Sequence, residues 1–270
     1  MSDAYELVYH AGIPGRGEAS TEAVFIRLFF EATGTPYVDT ALTGGQSAVK
    51  PYLDGSFQGA DENPLPFAPP VLKHGNVVIS QTPNILLYLA THIASSVDLE
   101  SGGTEGEPAA KKAKQSAMSV DDAATFHANA FAQTVLDMNN ECHDTHHPIA
   151  VMKTYEEQKD AALEKAADFR SARMPKFFKH FEDNLKRSKS DFLLESGPTF
   201  ADLCLFQVVD GLKFAYPKRM AKLEPEYPKL MKLYERVKEA PRIKAYLGSE
   251  RRQKYSMGIF RHYPELDGDE

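Results

Sequence analysis

The sequence predicts a small α/β domain followed by an all-helical one. Three observations carry that expectation. Short stretches of strand-like apolar patterning occur only before residue 95, and three/four spacing dominates after about residue 109. Between them "SSVDLESGGTEGEP", residues 95–108, has almost no apolar content. The boundaries that follow are 1–95 for the first domain, 96–108 for a linker and 109–270 for the second.

"YELVY", residues 5–9, places Tyr5, Leu7 and Tyr9 on one face with Glu6 and Val8 on the other, the period of a strand. Residues 17–33 read as a helix, with Ala19, Ala23, Ile26 and Phe30 three and four apart and Gly34 at its C-terminal end. "TPYVDT" offers a second strand, completing a strand–helix–strand unit long enough for a parallel crossover. Residues 43–69, rich in Gly and Pro, read as loop with one short helix near Gln46–Leu53. "PVLKHG" and "NVVIS" form a hairpin turning at Gly75 and Asn76. "QTPNILLYLATHI" opens a helix in which Thr82 is the expected N-cap, Pro83 the first helical residue, and Ile85, Leu86, Leu89 and Ile93 the buried stripe.

In the second domain, Ala113, Ala117, Val120, Ala124, Ala128, Phe131, Val135 and Met138 mark one long packed helix. Residues 153–187 give another, with Pro175 predicting a kink or break. "SGPTFADLCLFQVVDGLKF" reads as a buried helix opened by a capping pattern from Thr199 to Asp202. Shorter helices are expected at 227–239 and 241–248, and residues 249–270 extend beyond the last of them.

The net charge of −7 disfavours nucleic acid and anionic membrane as partners. Residues 1–95 carry four Lys/Arg against nine Asp/Glu, and the remainder 27 against 29. Cys142 and Cys204, 62 positions apart, match no paired-ligand or redox spacing, so neither a disulfide framework nor a disulfide oxidoreductase is expected. No apolar run reaches the length of a membrane span and no leader is evident, so a reduced cytoplasmic compartment is the default. The glycines at 12, 15 and 17 fit neither G-x-G-x-x-G nor a Walker loop; they turn the chain after the first strand. "ECHDTHHP", residues 141–148, invites a metal reading through His143, His146 and His147, but its place at a helix end argues for surface histidines and no metal. His127, beside the long apolar stripe, is expected to be packed or to line a pocket.

Four features then occur in order: a tyrosine ending the first strand, an arginine opening the first helix, a Pro-x-Leu entry to the third strand, and a Gln-Thr pair at the next helix. With "PPVLKHGNVVISQTPNILLYLA", "FLLESGPTFADLCLF" and "YPKLMKLYERVKEAPRIKAYL", the chain resembles the cytosolic glutathione transferases of the tyrosine type, such as the mu, pi and sigma classes. The resemblance implies a thioredoxin-like N-terminal domain that binds glutathione and a C-terminal helical bundle that supplies the pocket for a hydrophobic second substrate. It further implies a cytoplasmic homodimer acting in detoxification, with glutathione as co-substrate and no other cofactor. Glutathione-dependent isomerisation or peroxide reduction, and a non-catalytic ligand-binding or structural role, are the alternatives.

A free thiol is only a few per cent thiolate at neutral pH, and a hydroxyl that donates to sulfur favours the charged nucleophile. Tyr9 is the residue expected to do this. By resemblance, Arg16 supports the site, Lys50 reaches the glycyl carboxylate, and Gln81 and Thr82 hold the γ-glutamyl end at a helix N-terminus. "APPVL" matches the place of a cis-proline, here Pro70, with Val71 following. The preceding residue, whose backbone would pair with the cysteinyl part, is Pro69 and has no N–H to give. Asp121 stands near an aspartate that in some classes reaches the partner subunit's glutathione; a solvated helix face is the favoured explanation.

Overall fold

The computed structural model describes residues 4–10, 21–93, 97–100 and 117–268, so the glycines of the first loop and Arg16 lie outside the described residues. The predicted α/β domain is present. Strand β1 (Tyr5–Val8) is followed by α1 (Thr21–Thr33), β2 (Tyr37–Asp39), α2 (Thr40–Thr43), α3 (Lys50–Asp54), the hairpin β3 (Val71–His74) and β4 (Val77–Ser80), and α4 (Thr82–His92). The sheet order is β2-β1-β3-β4, with β1 and β2 parallel and the other pairs antiparallel.

The alternation read from "YELVY" sorts the sheet into two faces. Leu7, Tyr9 and Leu72 join the large core with α1, α4 and the helical domain. Val8, Val71 and Val78 meet Val49, Tyr52 and Phe57 in a smaller core under α3. Asp39, at the end of β2, accepts from Arg27 Nε of α1 at 2.6 Å and from the Ala41 amide at 3.1 Å, so one buried carboxylate fixes both the crossover helix and the start of α2.

The second domain comprises α5 (Ala123–Asp144), α6 (Lys159–Asp168), α7 (Met174–Arg187), α8 (Phe200–Ala215), α9 (Pro217–Leu223), α10 (Pro228–Glu239), α11 (Pro241–Leu247) and α12 (Pro264–Asp267). Apolar spacing extended the long helix too far: α5 begins at Ala123, where Asp122 caps it by accepting from the Ala124 amide, and Val120 is exposed. His127 is exposed on that helix, not packed. Pro175 neither breaks nor ends its helix. The turn before it, Phe169–Arg173, widens to a π-helix in which the Met174 amide reaches Phe169 O, making room for a residue with no N–H.

The two domains share a core. α1 packs on α8 and α11, and α4 on α5. Gly34, φ +66°, ends α1 where the Arg242 guanidinium lies against it, leaving no space for a Cβ. Val97 and Leu99, within the stretch expected to be linker, are buried in this core. The C-terminal segment folds back on the helical domain. Phe260 is buried against Gly211 of α8, Tyr263 stacks on Tyr155 at 4.0 Å between centroids, and the Asp267 carboxylate accepts from the amides of Lys218 and Arg219. Among the described residues no helix is long and apolar enough to cross a membrane.

Candidate functional site

Register gathers the predicted residues at one rim of the sheet. Val8 pairs with Val71, and Val71 with Ser80, so the next position out on each strand is Tyr9 on β1, Pro70 on β3 and Gln81 on β4. With neighbouring strands about 4.8 Å apart, Tyr9 and Gln81 face each other across roughly 10 Å with Pro70 between them. The Pro69–Pro70 peptide bond is cis, as the pattern "APPVL" suggests, and Pro70 is buried.

Tyr9 directly follows β1 and is 8% exposed. Its backbone is held by Thr40, the first residue of α2, whose Oγ1 accepts the Tyr9 amide at 3.2 Å. Residue patterning does not reveal this anchor, because Thr40 reads as one more β-branched residue at a strand end. His10, next along the chain, lines a cleft of about 280 Å³ with Val49, Lys50, Leu53 and Asp54. His10 was likewise not anticipated.

Lys50, its side chain 78% exposed, is paired with Asp54 one turn on. That ammonium, together with Ser56, holds the Asp54 carboxyl down to about 2. A ligand carboxylate reaching Lys50 therefore competes with Asp54, which would keep the Ser56 hydroxyl at 2.6 Å and amide at 3.1 Å.

The start of α4 differs from expectation. Thr82 is not the N-cap; Gln81 takes that position with φ 72° and ψ 118°, and no side chain caps the helix. Gln81 is the one residue other than glycine with positive φ among the described residues, a conformation that costs on the order of 1 kcal/mol or more. Thr82, 4% exposed, is the first helical residue, and its hydroxyl is buried with no hydrogen-bond partner. Pro83 adds no donor. The outcome is a helix N-terminus with its partial positive charge, open amides and one spare hydroxyl, the equipment that binds a carboxylate.

The remaining expectations separate. Asp121 is exposed in the turn before α5, its amide donating to Ser119 Oγ at 3.1 Å, and is remote in sequence order from the rim just described. The capping box at α8 is complete: the Thr199 amide donates to Asp202 at 2.8 Å, and the Thr199 hydroxyl accepts from the Ala201 amide at 3.3 Å. Asp202 also accepts the Leu193 amide at 2.9 Å, and burial pushes its carboxyl up to about 6. Cys142 and Cys204 are buried, which raises both thiols and leaves them poor nucleophiles. Of the three histidines in "ECHDTHHP", His146 is not at the surface; it is 1% exposed.

Residues 143–250 match the sequence model of the glutathione S-transferase C-terminal domain. The fold resembles the solved structure titled NaGST-2, at 21% identity over 92% of this chain and 97% of that one, with a TM-score of 0.56. It also resembles the pi-class glutathione S-transferase of Onchocerca volvulus, at 20% identity, 90% and 91% coverage and a TM-score of 0.57. A glutathione S-transferase of Caenorhabditis elegans matches at 21% identity, 92% and 98% coverage and a TM-score of 0.55. No curated protein matches the chain by sequence. The architecture is therefore glutathione-transferase-like, a four-stranded α/β domain joined to a helical one.

Proposed function

We propose that this chain binds glutathione along the sheet rim and transfers it, as a thiolate, to hydrophobic electrophiles. The observation that carries the reading is the unfinished start of α4, where a buried Thr82 hydroxyl and an uncapped helix stand on the same rim as Tyr9 and the cis Pro69–Pro70 bond. The γ-glutamyl carboxylate accepts from the Thr82 hydroxyl and the first amides of α4, with Gln81 beside it. Lys50 exchanges Asp54 for the glycyl carboxylate. The Tyr9 hydroxyl donates to the cysteinyl sulfur, the thiol proton leaves to solvent, and the sulfur attacks the electrophilic carbon as its leaving group departs.

On this reading the protein belongs with the tyrosine-type transferases of the cytoplasm, acts in detoxification and needs no cofactor besides its co-substrate. Its working form is a homodimer, for which Phe67, 92% exposed on the loop before β3, is one of the apolar side chains a second copy would cover. Asp121 is assigned to solvent or to the partner's face, and Arg16 is assigned no step.

The test is conjugation of glutathione to a generic aryl halide by the parent and by Tyr9→Phe. The reading expects a loss of ten- to a hundredfold in kcat/KM, the value of one hydrogen bond to a charged acceptor. Equal rates would remove Tyr9 from the chemistry. One observation favours a second reading, a non-catalytic homologue: Pro69 keeps its carbonyl but lacks the N–H that would pair with the cysteinyl backbone, at a cost of about 1 kcal/mol. A chain that is neither retained on immobilised glutathione nor able to conjugate it belongs to that class.

A further inference from the structure

The histidine cluster at the end of α5 lies apart from the sheet rim and is unused by the reading above. His143 occupies the last turn of α5, and His146 and His147 follow at i+3 and i+4, so the three rings share one side of the chain as it leaves the helix. Thr145 between them is held by its own amide to Cys142 O and by a 2.6 Å hydroxyl contact to Tyr216. One ligand nitrogen from each histidine lies within 4.8 Å of those from the other two, and the ring centroids are 4.9 to 5.1 Å apart.

The hydrogen bonds around the cluster decide which nitrogens are available. A carbonyl only accepts, so the 2.8 Å contact of His146 Nε2 with Ile259 O puts the proton on Nε2. Nδ1 of His146 is then a bare lone pair, and it is buried with no partner. His147 is engaged through the 150–158 loop: its Nδ1 lies 3.2 Å from Gln158 Nε2, and the ring bonds the backbone at Lys153 and Ala150. His143 Nδ1 stands 3.4 Å from Asp144 Oδ1. His146 and His143 thus each have one nitrogen oriented by a backbone oxygen or a carboxylate, the outer arrangement that metal-binding imidazoles use, and one nitrogen left to ligate; at His147 Gln158 Nε2 only donates, so the bare lone pair is Nδ1, which exchanges that contact for the ion.

We propose that His143, His146 and His147 form a binding site for a divalent transition metal of the zinc class, with a fourth position open to water. Three neutral imidazoles suit zinc, copper or nickel and do not suit magnesium or calcium. Bonds of about 2.0–2.1 Å in a tetrahedral frame need ligand nitrogens about 3.4 Å apart, so side-chain rotations close the cluster onto the ion. Arg261 opposes the ion, because its charge reaches both His146 and His147; Asp144 beside His143 offsets part of that field. The bound metal would tie the end of α5, through His146 and Ile259, to the returning C-terminal segment.

The experiment is calorimetric titration of zinc chloride alone into the tag-free full chain after chelator dialysis, repeated with His143→Ala. His143 is half-buried and, among the described residues, its one side-chain hydrogen bond is the long one to Asp144, so the apo variant should melt with the parent. The proposal expects one equivalent bound at micromolar or tighter affinity by the parent and at least tenfold weaker binding by the variant, with residues 249–268 gaining protease resistance on zinc addition only in the parent. His143→Gln replaces the alanine variant should the latter melt early. Absence of saturable binding to the parent, or equal binding by parent and variant, overturns the site.

Discussion

Helix α8 is capped by a threonine and helix α4 opens on one, and the chain treats the two starts in opposite ways. At α8, Thr199 and Asp202 exchange hydrogen bonds with the backbone, and Asp202 spends its second oxygen on the Leu193 amide, so each of these donors has a protein partner. At α4, Gln81 enters with positive φ, no side chain caps the helix, and the Thr82 hydroxyl is buried and unmatched. A helix start completed from within serves folding. One left incomplete after a strained residue is, on the proposed function, where a ligand would complete it.

That contrast can be broken in four ways, taken from the largest effect to the smallest. Tyr9→Phe, on the same rim as the incomplete start, should lower kcat/KM ten- to a hundredfold in an aryl-halide assay. Asp202→Asn keeps the shape but has one acceptor oxygen where two are in use, so the Leu193 or Thr199 amide is orphaned; chemical denaturation should show a loss of about 2 kcal/mol, with activity per folded molecule unchanged.

The same carboxyl carries a pH signature. With Asp202 raised to about 6, the folded chain binds a proton there that the unfolded chain takes up only near pH 4. Its contribution to stability is therefore full below that lower value and is lost as pH rises through about 6, and the parent-minus-Asn difference in denaturation free energy should show this slope. Smallest of the four, Gln81→Gly should relieve the positive φ and raise stability by up to about 1 kcal/mol while weakening glutathione retention; a variant less stable than the parent would mean that the backbone there is unstrained.

The regions that were legible in the sequence were those governed by local periodicity and punctuation. "YELVY", the hairpin at Gly75, the capping box from Thr199 to Asp202 and the proline-opened α10 and α11 all reappear in place. Missed features depended on partners far along the chain. Val120 and Ala117 kept helical spacing but precede the Asp122 cap, which ends the pattern's authority. Pro175 predicted a break because sequence does not reveal that a π-turn at Phe169–Arg173 absorbs it. The burial of His146 depends on Ile259, 113 positions away, and the orphaned hydroxyl of Thr82 depends on a φ at Gln81 that no residue type announces. Along the sheet rim, the placement of Tyr9, Pro70, Gln81 and Thr82 was readable from the strand pattern, whereas Thr40 and His10 required the register of β1 against β2 and the fold of the 43–69 stretch.

The most direct test of an α4 start supplied for a ligand is calorimetric titration of glutathione into the parent and into Thr82→Val. Valine keeps the volume and removes only the hydroxyl, which has no protein partner to lose. The account predicts an unchanged or slightly raised melting temperature together with at least tenfold weaker glutathione binding. Equal affinity in the two proteins, or destabilisation of the variant with binding intact, would contradict it.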